Sequence, residues 1–248
     1  MPSISAVALP DHLDDSMIQG QIAVVIDVLR ATTTIAHALE HGASCVVPVA
    51  SVDSARMLAH ERAGAMLCGE RGGIRPEGFE LGNSPLEYAR DRIADRDLVL
   101  TTTNGTRAMH MCSGAHGVYT GSVTNIGVLC ELLAEQDRDV VLVCSGTDRR
   151  VSLEDCICAG LIAERLGVSH ELDDSALLMQ HAAEGVIERH AGIEGAIGSS
   201  FHAKRLVDMG FRADVAYAAT MNSSGCVPFF DAATGEIRPA NQLNRSHG

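Results

Sequence analysis

The sequence predicts an α/β fold: a three-layer sandwich with a mostly parallel central sheet and helices on both faces. Three observations carry that prediction. Short apolar runs suited to buried strands alternate with helix-like stretches along most of the chain, as in successive βαβ units. The loops richest in polar groups directly follow the apolar runs, where α/β proteins place ligands. Nothing in the 248 residues reads as a linker or a low-complexity segment, so a single domain over 1–248 is expected.

The elements follow in order. Ile22 to Ile26 is wholly apolar and reads as a buried strand, with a helix from Thr33 to Glu40. Cys45 to Val49 is the next strand, Ser54 to Ala63 the next helix, and Met66 to Cys68 a short third strand. A Gly-rich polar loop then leads to a helix near Pro85 to Asp91, opened by Asn-Ser-Pro. Leu98 to Thr101, Val118 to Thr120 and Val140 to Cys144 are further strands, separated by helices at Thr106 to Cys112 and Asn125 to Glu135. Ser-Leu-Glu-Asp caps a long helix from Ser152 to Leu166. Beyond residue 170 the pattern is more helical, until Asp214 to Ala219 supplies one more apolar segment. A faint internal echo links 22–51 with 97–122: Thr34, Gly42-Ala43 and Ser51 recur in order as Thr106, Gly114-Ala115 and Ser122. Duplication explains it, and so does the chance likeness of two ordinary βαβ units.

Composition sets the bounds. With 46% hydrophobic residues but only 3% aromatic and no Trp, the core is built from Ala, Val, Leu, Ile, Met and Cys, at a mean hydropathy of +0.10. The 32 acidic residues against 19 Lys and Arg leave a formal charge of −13, which argues against a nucleic-acid partner. A few arginines in a cleft can still create a site for a small anionic substrate. Six of the eight cysteines (Cys45, Cys68, Cys130, Cys144, Cys156 and Cys158) sit in apolar runs with no CxxC pair, as small buried hydrophobes do. The N-terminus lacks a basic, apolar leader and no run is long enough to span a membrane. A reduced, cytoplasmic protein without a membrane partner is expected, and a homo-oligomer is the base-rate state of assembly.

Four loops carry the candidate chemistry. In the first, Asp27 to Thr34, a carboxylate, Arg30 and the hydroxyls of Thr32 and Thr33 arrive together where strand gives way to helix. A metal with a phosphate-like anion fits that set; so does a capped helix with a structural salt bridge. The second, Cys68 to Pro85, offers Glu70, Arg71, Asn83 and Ser84 among glycines. The third, Thr101 to Thr106, reads as an anion cradle built from Thr102, Thr103, Asn104, Gly105 and Thr106. The fourth, Cys144 to Asp155, begins Cys-Ser145-Gly146. Asp27, Glu70, Glu154 and Asp155 are the acidic residues of these loops. They suit the oxygen-ligand habit of Mg2+, although Glu154 and Asp155 also suit a helix N-terminus. None of His37, His41, His110 and His116 is placed as a general base.

Two other phosphatase patterns fit less well. Asp27 lacks the second Asp two residues on that aspartyl-nucleophile phosphatases use; Leu29 stands there. Cys144 to Arg150 satisfies C-x5-R, the phosphate loop of cysteine phosphatases. Val143, Asp148 and Val151 replace or oppose what that loop requires.

Taken together, the loops resemble the 2-phosphosulfolactate phosphatase family of coenzyme M biosynthesis. The likeness rests on D-V-L-R-A-T-T-T from Asp27, G-E-R-G-G from Gly69, G-F-E-L-G-N-S-P from Gly78 and T-T-T-N-G-T-R from Thr101. It continues through G-S-V-T-N from Gly121, S-L-E-D-C-I-C-A-G from Ser152, L-V-D-M-G-F-R-A-D-V from Leu206 and Val227-Pro228. The resemblance implies an α/β, Mg2+-dependent phosphomonoester hydrolase acting on a small polyanion that carries phosphate, carboxylate and sulfonate. On that footing Asp27, with Glu70 or Asp155, is expected to hold Mg2+ for attack by water, with direct attack by Asp27 to form an aspartyl phosphate as the other route. Arg30, Thr103, Asn104 and the Gly105 amide are expected to face the phosphoryl oxygens, and Arg71, Asn83 and Ser84 the sulfonate or carboxylate. The other hydroxyl-bearing and glycine positions (Thr32, Thr33, Thr102, Thr106, Ser145 and Gly146) complete the substrate cradle. A phosphatase of another 2-phospho-hydroxy acid and a non-catalytic anion binder are the alternatives.

Overall fold

The computed structural model describes residues 1–240. Ten strands form one sheet: β1 (Ser3–Val7), β2 (Ile22–Ile26), β3 (Cys45–Pro48), β4 (Met66–Gly69), β5 (Asp97–Thr101), β6 (Gly117–Gly121), β7 (Val140–Cys144), β8 (Glu171–Leu172), β9 (Pro228–Asp231) and β10 (Glu236–Pro239). Their spatial order is β4-β5-β3-β10-β9-β6-β2-β7-β1-β8. The helices are α1 (Ala31–Glu40), α2 (Val52–Glu61), α3 (Arg90–Ile93), α4 (Gly105–Met111), α5 (Ile126–Ala134), α6 (Leu153–Leu166), α7 (Asp174–Arg189), α8 (Ile193–Gly198), α9 (Phe201–Asp208) and α10 (Arg212–Ala218).

The expected mostly parallel sheet is present, with an organisation the strand pattern does not convey. β4, β5 and β3 form one parallel block, and β6, β2, β7, β1 and β8 another. The β9–β10 hairpin lies between them, antiparallel to β6 on one side and to β3 on the other. Three antiparallel joints in series reverse the direction, so the two blocks run opposite ways. Residues 22–48 cross from the second block to the first as β2–α1–β3, and residues 97–121 cross back as β5–α4–β6.

Strand alternation divides the core into two faces. Ile22, Val24 and Ile26 of β2 face the layer formed by α5 to α10, while Ala23 and Val25 face α1 and α4. In β5, Leu98 and Leu100 join the same inner core and Val99 packs toward Ala55 of α2. Every residue of α1 except Glu40 is buried. Such a helix lies inside the protein rather than along its surface. Among the described residues no helix is long and apolar enough to cross a membrane, and all eight cysteines are free and buried.

Three expectations need correction. Asp214 to Ala219 is not a strand-like addition to the sheet: residues 212–218 form α10, and its Asp214 is buried. The helix near Pro85 to Asp91 is a single tight turn, Pro85–Glu87, followed by the four residues of α3. The N-terminal strand β1, paired between β7 and β8, and the β9–β10 hairpin are strands that hydrophobic runs alone do not reveal, since each mixes buried and accessible residues over only four or five positions.

The close packing of α6 on α7 depends on Gly160. A methyl group there would lie 2.3 Å from the Met179 carbonyl oxygen and 2.6 Å from Ala183 Cβ. Gly→Ala within a helix ordinarily gains about 1 kcal/mol. Here overpacking outweighs that gain, so Gly160→Ala is expected to destabilise the protein by about 1–3 kcal/mol, read from the midpoint of urea unfolding.

Candidate active site

The crossed topology brings the carboxyl ends of β2 and β5 to one place. Asp27 follows β2 directly, and the first turn of α4 abuts that of α1. A Cβ on Gly105 would stand 2.7 Å from both Ala31 Cβ and Asp27 Oδ2, so the approach requires glycine. The Asp27 carboxylate accepts from the Ala31 amide at 3.2 Å and from the Gly105 amide, joining the two helix starts. Around it opens a cleft whose walls include Asp27, Arg30, Glu70, Asn83, Asn104 and His202.

Two further carboxylates brace neighbouring loops with the same chemistry. Glu70 accepts from Gly73 N at 2.6 Å and from Thr103 N at 2.7 Å, tying the loop after β4 to the loop after β5. Gly69 makes this possible: its φ is +129°, and a Cβ would lie 2.0 Å from the Thr101 carbonyl oxygen. Asp155 accepts from Val28 N at 2.9 Å and Gly146 N at 3.0 Å, tying the loop after β2 to the loop after β7. Asp155 does not line the cleft, whereas Glu70 does. Glu154, in the first turn of α6, is also buried, and its Oε2 has no partner among the described residues.

Burial raises the Asp27 carboxyl to about 7, and the negative charges of Glu70 and Glu154 push the same way against its amide contacts. Burial likewise lifts Asp155 well above the usual carboxylate range, aided by Glu154 and Asp27, and lifts Glu154. Arg30 does not neutralise this group. Its Nη1 pairs with Asp214 at 2.6 Å, with both side chains buried, Nη2 donates to Gly73 O at 3.1 Å, and the guanidinium lies 4.1 Å over the Phe211 ring. Ser84 Oγ donates to the other Asp214 oxygen at 2.7 Å. The structural salt bridge, one of two readings of the first loop, is therefore real, although Arg30 still borders the cleft.

The structure sorts the expected substrate residues into two sets. Asn83, Thr102, Thr103 and Asn104 face the cleft with Asp27, Arg30 and Glu70. Asn83 Oδ1 is buried without a partner among the described residues, so an acceptor is left there for a donor that a ligand or its bound water brings. Thr32, Thr33, Arg71, Ser84, Gly105, Thr106, Ser145 and Gly146 do not line the cleft, and the Gly105 amide expected to face the phosphoryl oxygens is taken by Asp27. Thr32 Oγ1 donates to the carbonyls of Asp27 and Gly121, and Thr33 Oγ1 to that of Val28. Thr106 Oγ1 donates to Thr102 O while Thr106 N donates to Thr102 Oγ1. These hydroxyls satisfy backbone groups at helix starts that water cannot reach. Arg71 turns to Glu70 O, Ala50 O and Thr101 Oγ1. The Ser145 amide donates to Ile26 O, and Gly146 serves Asp155.

Thr147, Asp148, His202 and Arg205 border the cleft and were absent from the expected set. His202 and Arg205 come from α9, far along the chain, where no strand-to-loop pattern marks them. His202 Nε2–H donates to Leu29 O at 3.0 Å, which assigns the lone pair to Nδ1. Phe211 and Asp214, the partners of Arg30, belong to the run from Leu206 that carried part of the family likeness. Cys144 is fully buried, and a hydrogen bond with Cys156 together with burial holds its thiol well above the usual range. The C-x5-R pattern is thus a strand end, not a thiolate cradle.

Fold and cleft together define an α/β protein with a cleft at strand ends, lined by carboxylates, side-chain amides and hydroxyls. The chain belongs to the 2-phosphosulpholactate phosphatase family, whose model matches residues 7–233. A relative from Thermotoga maritima, named probable 2-phosphosulfolactate phosphatase, is 42% identical over 214 residues, covering 86% of this chain and 90% of the relative. Relatives with the same name from Carboxydothermus hydrogenoformans (40% over 227 residues; 91% and 92% covered) and Clostridium perfringens (36% over 239 residues; 95% of each) are similar along nearly the whole length.

The raised Asp27 carboxyl has a thermodynamic consequence. Between about pH 4 and pH 7 the unfolded chain releases a proton that native Asp27 retains, so ligand-free stability falls as pH rises through that window. Glu154 and Asp155, raised as well, act in the same direction. Asp27→Asn is expected to flatten the decline and to gain on the order of a few kcal/mol at pH 8 relative to pH 4. Thermal unfolding of both proteins across pH 4–8 checks this.

Proposed function

We propose that the chain is a Mg2+-dependent phosphomonoester hydrolase that converts 2-phosphosulfolactate to 3-sulfolactate and inorganic phosphate. The observation that carries this reading is the meeting of Asp27 and Glu70 with hydroxyl and amide donors in one cleft, in a chain whose relatives are named for that reaction.

The donor set fits Mg2+ in a specific way. Among the described residues no three His, Cys, Asp or Glu side chains gather to hold a metal, so an all-protein cage does not suit the cleft. Mg2+ is commonly held by one or two carboxylates, its other positions filled by water and substrate phosphate. Asp27 and Glu70 supply that pair, since each carboxylate oxygen keeps a second lone pair beyond its amide contact. The crowding of Glu154 and Asp155 behind them, with Arg30 already matched by Asp214, leaves negative charge that a divalent cation offsets. Asp155 acts as a brace in this scheme rather than a ligand. When bound, the ion would polarise the phosphoryl group and orient the attacking water.

The chain's own groups do the rest. The side chains of Thr103 and Asn104, which line the cleft, would donate to phosphoryl oxygens and stabilise charge that grows during displacement. Arg30 has N–H groups beyond the two engaged by Asp214 and Gly73. Its locked position pre-organises them, because an ion pair and a ring contact hold the guanidinium before substrate arrives.

Phosphate release from 2-phosphosulfolactate is expected with Mg2+ and is lost with EDTA. Asp27→Asn is expected to lower kcat/KM by about 10²-fold or more, the size typical of removing one electrostatic contact to the transition state. Release unaffected by EDTA argues against the ion; an unaltered rate in Asp27→Asn argues against Asp27. Cys144→Ala is expected to retain release of the same order, as the buried thiol does not reach the cleft. A strong loss in a folded Cys144→Ala protein revives a cysteine mechanism.

A further inference from the structure

The substrate proposed above keeps two oxyanions that are not transferred, a carboxylate and a sulfonate. Two of the three side chains expected to hold them, Arg71 and Ser84, are otherwise engaged, while the third, Asn83, carries no charge. Arg71 is braced on Glu70 O, Ala50 O and Thr101 Oγ1, and Ser84 on Asp214. Arg30 is buried and anchored on Asp214 and Phe211. Among the described residues one other arginine borders the same cleft: Arg205, on the wall that α9 contributes, one turn beyond His202. Its Nη1 rests 3.0 Å from Asp148 Oδ2, with the two side chains 40% and 63% exposed.

We propose that Arg205 leaves Asp148 on substrate binding and pairs with a non-transferred oxyanion, making it a specificity-determining residue of the site. This inference rests on the phosphatase reading. An ion pair so open to water holds its partners weakly, so exchange for a ligand oxyanion is easy. Asp148 is the fixed member. It sits in the left-handed region at φ +50°, inside a tight turn closed by Thr147 N to Arg150 O and Arg150 N to Thr147 O, each 2.9 Å. Arg205 is the long, partly exposed member, and its planar fork matches carboxylate and sulfonate oxygens. Asp148 thus keeps the guanidinium at the cleft edge and screens its charge until a more anionic partner displaces it. An anion entering beside Asp27 and Glu70 also gains from a cation on a neighbouring wall.

The test compares 2-phosphosulfolactate with 2-phospholactate, which lacks the sulfonate, in the unaltered protein and in Arg205→Met, Arg205→Lys and Asp148→Asn, all with Mg2+. Arg205→Met is expected to raise KM about tenfold, the loss of one charge-assisted hydrogen bond, with a much smaller fall in kcat. Arg205→Lys is expected to recover part of that loss, and Asp148→Asn to lower KM by freeing the guanidinium. A rise for 2-phosphosulfolactate alone identifies the sulfonate as the partner. A rise for both, with inorganic phosphate inhibiting the unaltered and Arg205→Met proteins equally, identifies the carboxylate. Weaker inhibition by phosphate in Arg205→Met assigns Arg205 to the transferred group and overturns the inference. Unchanged KM for both in Arg205→Met, or a loss confined to kcat, overturns the inference while the phosphatase reading stands. No turnover of either substrate by the unaltered protein overturns both.

Discussion

The burial of several carboxylates around one point is the constraint on which the rest of the structure depends. Asp27, Glu70, Glu154 and Asp155 are each less than a tenth exposed, and the buried cation beside them, Arg30, is already matched by Asp214. Unpaired charge at such depth is costly. The chain answers chiefly with backbone N–H groups: Asp27 takes amides from two helix starts, Glu70 from two loops, and Asp155 from two more. Each carboxylate thereby joins segments that belong to different parts of the sheet. The same bonds that make the burial tolerable assemble the site.

Topology makes those bonds available. In a uniformly parallel sheet, the strand-to-helix loops line up along one edge. Here the hairpin formed by residues 228–231 and 236–239 separates two blocks of opposite direction, and the crossovers through α1 and α4 run in opposite senses between them. Two strand ends from different blocks therefore meet head to head, at a contact so close that Gly105 has no room for a side chain. Asp27 sits at that junction, with a wholly apolar strand on one side and an almost entirely buried helix on the other. Glu70 reaches it from a strand of the opposite block, and its arrival depends on the conformation that Gly69 permits.

The hydroxyl-rich loops show how similar residues divide between scaffold and site. Thr32, Thr33 and Thr106 close helix starts on backbone carbonyls, while Thr103 and Asn104, a few positions away, face the cleft. Donors aimed at a ligand are useful only if held still, and buried hydroxyls that satisfy the loop's own backbone hold it. Arg30 and Arg71 divide in a similar way: Arg30 borders the cleft from a fixed pose, and Arg71 braces the loop behind it.

Much of this was legible in the linear sequence. The apolar runs at β2, β3, β5 and β7, the helices between them and the polar strand ends follow from local composition and period, because burial on both faces demands unbroken apolar strands. The same pattern located Asp27, Glu70, Asn83 and Asn104 on loops that meet. The order of motifs indicated the family that the full-length matches now show. Only the tertiary structure decided the partners: that Arg30 pairs with Asp214, 184 residues away, that Asp155 braces two loops behind the cleft, and that His202 and Arg205 of α9 border it. The physical reason is that composition and period report whether a residue is buried and on which element. Which distant group satisfies its charge depends on how the crossed blocks bring remote segments together, and local sequence carries no record of that distance.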